Sequence, residues 1–156
     1  MHKIHDPLFA ERVRASFARQ RAMALIGASM PVVEAGYTEI HLPHSPQITQ
    51  QHGFIHGGVV GMIADSAAGF AASTLTASDV GVLTVEYKLN LLAPADGQLL
   101  IAEGVVIRYG RTLIVTKADV LAVKDGRKTL CAVMQQTIMA LHGRKEHGDS
   151  TSDNKE

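Results

Sequence analysis

The sequence predicts an α+β domain: an antiparallel β-sheet wrapped around one long helix, with a further helix at the N-terminus. Three observations lead there. A long apolar segment rich in Gly and Ala, residues 57–75, is bounded by loop signals. Four segments rich in Val, Ile, Leu and Thr follow it, split by short turn signals. Short connections favour antiparallel neighbours, and a single long helix among such strands must cover one face of their sheet.

The elements follow in chain order. Residues Asp6 to Ala28 read as one amphipathic helix, because Leu8, Phe9, Val13, Phe17, Met23 and Leu25 recur at roughly helical spacing. Asp6-Pro7 suits the start of that helix. The stretch MPVVEAGYTEIHL, residues 30–42, reads as one strand. PHSPQITQQHG, with two prolines and many polar groups, reads as a loop. Gly57 to Leu75 reads as the long helix. Val80–Leu92, Gln98–Tyr109, Thr112–Val123 and Thr129–Leu141 read as strands, split by APADG, YGR and KDGR. They are expected to form a four-stranded meander in which residues 82–91 are central. In that strand Leu83, Val85, Tyr87, Leu89 and Leu91 alternate with Thr84, Glu86, Lys88 and Asn90. The apolar set is expected to face the helix. The chain thus divides into an N-terminal helical segment, 1–29, a domain, 30–142, and a polar tail, 143–156, expected to be disordered.

Composition removes several functions. Charged residues make up 19% and the formal net charge is +0, so the basic excess of a nucleic-acid binder is missing. No apolar run reaches transmembrane length without a polar interruption, and the N-terminus lacks the contiguous apolar core of a secretory signal. Cys131 is the only cysteine, which excludes an intrachain disulfide. Together these point to a cytoplasmic protein with no membrane or nucleic-acid partner.

The long helix poses the functional question. Its segment, QQHGFIHGGVVGMIADSAAGFAAST from Gln50 to Thr74, holds one carboxylate, Asp65, and no basic residue. An unpaired buried charge is expensive. Asp65 is therefore at the surface, paired with something distant, or present for chemistry. Gly57, Gly61, Asp65 and Gly69 lie four residues apart, on one helical stripe. Such a stripe serves either tight packing of helix on sheet or the approach of a ligand or second chain. The helix starts at HGG with no Ser, Thr, Asp or Asn in front, so its first N–H groups are expected to lack a side-chain cap. Free N–H groups there suit a developing oxyanion. Asp65 lies about 12 Å further along the axis, too far to act on a carbonyl held at its own helix start. Two antiparallel copies of the helix in a dimer would bring them together.

These residues carry a resemblance. The pattern Gln50-x-x-Gly53-x-x-His56-Gly57-Gly58, then Met62-Ile63-Ala64-Asp65-Ser66-Ala67, resembles the signature of hotdog-fold acyl-CoA thioesterases. TVEYKLNLLAPA and the turn YGRT are also similar to that family. The nearest group is the PaaI-like thioesterases of the 4-hydroxybenzoyl-CoA thioesterase superfamily. The resemblance covers residues 31–141 and implies a sheet wrapped on a long helix, assembled as dimers with a continuous sheet and often as tetramers. It implies hydrolysis of an acyl-CoA, aromatic or medium-chain, to acid and coenzyme A, with no cofactor besides the substrate's own coenzyme. It implies that the Gly57 N–H, flanked by Gly58, polarises the thioester carbonyl. Asp65 of the neighbouring subunit acts as base or nucleophile, and Thr84 binds the water or the carboxylate. Gln50 stands where the family often has asparagine, which orients the nucleophile or the carbonyl, and His56 fixes the loop. Arg111 and Arg108, with Lys117, are candidates for the coenzyme phosphates, and Met62, Phe70 and Tyr87 for the acyl pocket.

Other readings stay beside it. His41, His44, His52 and His56 cluster, and His52-x-x-x-His56 has metal-ligand spacing, but Gly53 and the position before the helix weaken a metal site. A hotdog dehydratase would also act on acyl thioesters, using a histidine. A non-catalytic acyl-CoA-binding protein would not need Asp65 together with Thr84. Cys131, within a strand and without a base, is expected in the core.

Overall fold

A computed structural model describes residues 4–143. The expected tail therefore lies outside the described residues, apart from Gly143. Two short helices, α1 (Phe9–Ala18) and α2 (Arg21–Ile26), precede strands β1 (Ser29–Glu34) and β2 (Tyr37–Pro43). A 3-10 turn over Pro46–Ile48 leads to the long helix α3 (Gly57–Ser73). Strands β3 (Val80–Leu91), β4 (Leu99–Tyr109), β5 (Leu113–Lys124) and β6 (Arg127–His142) follow. The six strands form one antiparallel sheet in the order β1-β2-β4-β5-β6-β3, and α3 packs on one face of it.

Four sequence expectations are corrected. The N-terminal helix is two helices, because Gln20 is extended, with φ −78° and ψ 90°. The first strand is a hairpin, because Gly36 turns the chain at φ 79°, a conformation glycine adopts freely. Residues 80–91 are an edge strand, not a central one. β3 pairs with β6, while β4 pairs with β2 and β5. Residues 92–98 thus cross from one edge to the interior instead of turning. The crossing spans three strand spacings, about 14 Å. Seven residues reach up to about 23 Å, so the length allowed either path.

The fourth correction concerns facing. The register slips between Thr84 and Glu86, leaving Val85 as a bulge. Val80, Val82 and Thr84 point to the helix before it, and Tyr87, Leu89 and Leu91 after it. Leu83 and Val85 are exposed instead, at 59% and 56%. A period-2 reading carried through the bulge assigns every residue on one side of it to the wrong face.

The core between α3 and the sheet is aliphatic, built from residues such as Ile40, Leu42, Ile63, Leu100 and Val120. The backbones come very close at its centre. A Cβ on Gly104 of β4 would stand 2.3 Å from the Ala67 carbonyl of α3. Thr38 of β2 donates to that same carbonyl at 2.7 Å. The β5–β6 hairpin shows a plain sequence cause: Asp125 and Gly126, at φ 49° and 77°, make the two-residue turn with both central φ positive that KDGR signals. Helix α1 docks through Val13, fully buried, and through Arg12. The Arg12 guanidinium donates to the Ser73 and Thr76 carbonyls, each at 3.0 Å, closing the C-terminal end of α3.

Candidate active site

The first cluster is built at the start of α3. His56 is the N-cap residue, and its Nδ1 accepts the Gly58 N–H at 2.9 Å. The expected absence of a side-chain cap is thus corrected: an imidazole nitrogen does what Ser, Thr, Asp or Asn usually do. The His56 carbonyl takes the N–H groups of Val59 and Val60. Among the described residues, the Gly57 N–H has no acceptor. It borders a cavity of about 410 Å³ that Gln50, Phe54, Leu91 and Pro94 also line. The Gln50 Oε1 accepts the His52 N–H within its own turn. With Oε1 engaged there, Nε2 is the side chain's remaining donor.

The second cluster lies in the middle of α3. Asp65 is half-buried, and the Thr84 hydroxyl donates to its Oδ1 at 2.7 Å. The bulge at Val85 is what brings Thr84 to this face. Among the described residues no cation pairs with Asp65. The three options raised by the sequence thus narrow: the group is not fully exposed, and it is not charge-paired among the described residues. Gln136, buried on β6, donates from Nε2 to the Asp65 backbone carbonyl at 3.3 Å. Its Oε1 and the Thr116 hydroxyl opposite have no partner among the described residues. Sequence reasoning passed over Gln136, although it is the lone amide in the helix-facing series Ala132, Met134, Ile138 and Ala140.

One chain does not unite the two clusters, since eight residues of helix, about 12 Å, separate them. The arginines form a third group. Arg108 and Arg111 are exposed around the β4–β5 turn, near the end of β6, where the Arg111 carbonyl accepts from His142. That is the end of the sheet away from Gly57. Lys117 lies on the outer sheet face in an ion pair with Asp119 at 2.9 Å.

The glycine stripe divides. A Cβ on Gly57 would stand 2.8 Å from Leu91, and one on Gly61 3.3 Å from Leu89, so both serve packing on β3. A Cβ on Gly69 would meet nothing within 4 Å. The histidines are spread over separate duties: His41 contacts Glu39 at 2.9 Å, and His56 caps the helix. The His52-x-x-x-His56 spacing falls on a turn with Gly53 at φ 84°, not on a helix. Cys131 is buried, and burial pushes its thiol pKa up, which suits the core and not a nucleophile.

The thioesterase superfamily model matches residues 52–129, half of the chain. The chain belongs to the thioesterase superfamily. It is a thioester hydrolase, and its fold is the hotdog fold that the sequence resemblance implied. A thioesterase family protein from Silicibacter pomeroyi, of known crystal structure, shares 44% identity with a TM-score of 0.85. The match covers 86% of this thioesterase and 99% of that chain. The 1,4-dihydroxy-2-naphthoyl-CoA hydrolase of Listeria monocytogenes is 28% identical over 120 residues, 77% of this chain and 95% of its own. The E. coli PaaI protein, from the phenylacetic acid degradation operon, shares the fold at a TM-score of 0.78 and 16% identity, over 90% of this chain and 99% of that one. Among the described residues of this thioesterase, no helix is long and apolar enough to cross a membrane.

Proposed function

We propose that the protein hydrolyses an acyl-CoA, aromatic or medium-chain, to the free acid and coenzyme A. The active unit is a homodimer, and each site is shared between two chains. The observation that carries this reading is the Asp65–Thr84 pair, half-buried and without a cation among the described residues, with Asp65 on the same helix as a Gly57 N–H that has no acceptor among them. The edge strand β3 supports the dimer. It is long, exposed and apolar, and such an edge is left open only at risk of unwanted pairing. A second copy laid antiparallel along β3 continues the sheet and sets the two α3 helices side by side. Asp65 of each then approaches the helix start of the other.

In this mechanism the Gly57 N–H, with the Gln50 Nε2 as second donor, holds the thioester oxygen of one substrate. The partner's Asp65 takes a proton from water through the carboxylate oxygen that Thr84 leaves free. The water oxygen attacks the carbonyl carbon, and the negative charge passes to the oxygen held at Gly57. Collapse of the tetrahedral intermediate re-forms the carbonyl, breaks the C–S bond and expels the coenzyme thiolate, which takes up the proton. His56 holds Gly57 and Gly58 in place. Arg108 and Arg111, remote from Gly57 of their own chain, are assigned to the coenzyme phosphates of a site completed by the partner chain, and the lone buried cysteine fits a reducing, cytoplasmic setting. The match to the thioesterase superfamily and the CoA-ester hydrolase among the relatives favour hydrolysis over the dehydratase alternative.

The test is thiol release from a panel of acyl-CoA esters by wild type and by Asp65→Asn. Loss of the base is expected to lower kcat by about 10²–10⁴-fold while the melting temperature holds or rises. A folded Asp65→Asn variant with near-normal turnover would overturn the assignment.

A further inference from the structure

Beside Asp65 lies a cleft of about 330 Å³. Gly69 and Phe70 of α3 and Val82 and Thr84 of β3 wall it, and Gln20 stands at its N-terminal-helix side. Helix α1 is held over it firmly. Phe17 meets Phe70 edge-on at 5.7 Å, and the Arg12 clamp fixes the same helix to the end of α3. Gln20 sits at the break between α1 and α2, and its Oε1 accepts the Ser66 hydroxyl at 3.3 Å.

Gly69 is the unexplained member of this wall. Glycine within a helix is unfavourable relative to alanine. Gly57 and Gly61 have a packing reason for it, but a Cβ on Gly69 would meet nothing within 4 Å. What the missing side chain provides is room next to Asp65. The cleft is also at the small end of ligand pockets, which run from roughly 300 to 1,000 Å³.

We infer that this cleft is the subsite for the acyl group, that Gly69 sets its width, and that Gln20 bounds it on the side of the N-terminal helices. Compact acyl groups then fit, and long unbranched chains collide with Gln20. The inference rests on the acyl thioester reading above and deepens it, by assigning the acyl portion to the space between α3 and the N-terminal helices. Ser66 and Gln20, which both line the cleft, are hydrogen-bonded to each other, so they are held as a wall and the subsite selects by size.

The experiment compares wild type, Gly69→Val and Gln20→Ala on acetyl-, benzoyl-, hexanoyl- and dodecanoyl-CoA. The readout is kcat/KM for each ester relative to acetyl-CoA. Gly69→Val is expected to lower the benzoyl/acetyl ratio by about 10-fold or more, the order that one or two misplaced methyl groups produce in a fitted pocket. Gln20→Ala is expected to raise the dodecanoyl/acetyl ratio. Gly69→Ala guards against a folding defect: it should raise the melting temperature and shift the benzoyl ratio the same way, by less. Unchanged ratios in folded variants, or an equal loss on all esters, would overturn the subsite. The same acyl series on N-acetylcysteamine separates the two ideas. Cleavage of those thioesters but of no CoA ester removes the coenzyme reading and leaves the subsite to be judged on the same ratios. A wild-type chain that cleaves neither series overturns both.

Discussion

At the residue scale, the start of α3 offers an unusually clean substitution. Gly57 is the first helical residue, and His56 before it is extended, with φ −60° and ψ 135°. Proline is favoured at a first helical position and requires that kind of conformation in the residue before it. Its ring atoms would press on Leu91, but through the end of a flexible side chain. Gly57→Pro therefore removes one N–H with little other change. If that N–H holds the oxyanion, kcat is expected to fall by about 10²–10³-fold in a protein whose circular dichroism and melting temperature stay close to wild type. Full activity in Gly57→Pro would show that the carbonyl is held elsewhere. In the same stretch, the His56 ring that completes the helix cap holds the Gly58 N–H, one residue beyond Gly57.

At the element scale, the position of Asp65 depends on how closely α3 sits on the sheet. Gly104→Ala would push a methyl group to 2.3 Å from the Ala67 carbonyl, where backbone and not a yielding side chain must move. It is expected to destabilise the fold by about 1–3 kcal/mol, read from a denaturant midpoint. It should also lower kcat, because Ala67 is two residues from Asp65. The N-terminal helix has an electrostatic tether. The Arg12 guanidinium hydrogen-bonds Asp6 at 2.8 Å and holds the Asp6 carboxyl below its ordinary value, against the opposing effect of burial. A carboxylate depressed on folding adds stability above its unfolded pKa, near 3.9, and loses it as pH falls through the lower folded value. The melting temperature of Asp6→Asn should thus lie below wild type at neutral pH, with the gap closing as pH drops below about 4. A constant gap across that range would mean that the tether is not ionic.

At the scale of the whole molecule, the unresolved distance is the 12 Å between Gly57 and Asp65. A monomer cannot use both on one carbonyl, and the exposed edge strand offers a way to bring a second chain. Mixed dimers of Asp65→Asn and Gly57→Pro chains carry one site with both groups intact. Each variant alone should be nearly inactive, and co-refolded or co-expressed mixtures should recover activity in proportion to the heterodimer measured by native mass spectrometry. Confirmed heterodimers without recovery would overturn the shared site.

Element types were legible where local chemistry and tertiary context agree. The apolar length of residues 57–73, the turn pair Asp125-Gly126 and the Val-rich runs name a helix, a hairpin and strands by themselves. Asp65 was legible as an anomaly, because a lone carboxylate in an apolar segment has no bland explanation. Tertiary structure alone decided where β3 lies, because a seven-residue connection fits a turn and a crossover equally well. It alone decided which face Thr84 occupies, since a bulge inserts one residue without leaving a mark in the alternation. It also separated Gly69 from the other glycines of its stripe. Sequence spacing places them on one line, and only the packed neighbours show that two are filled against and one is left open.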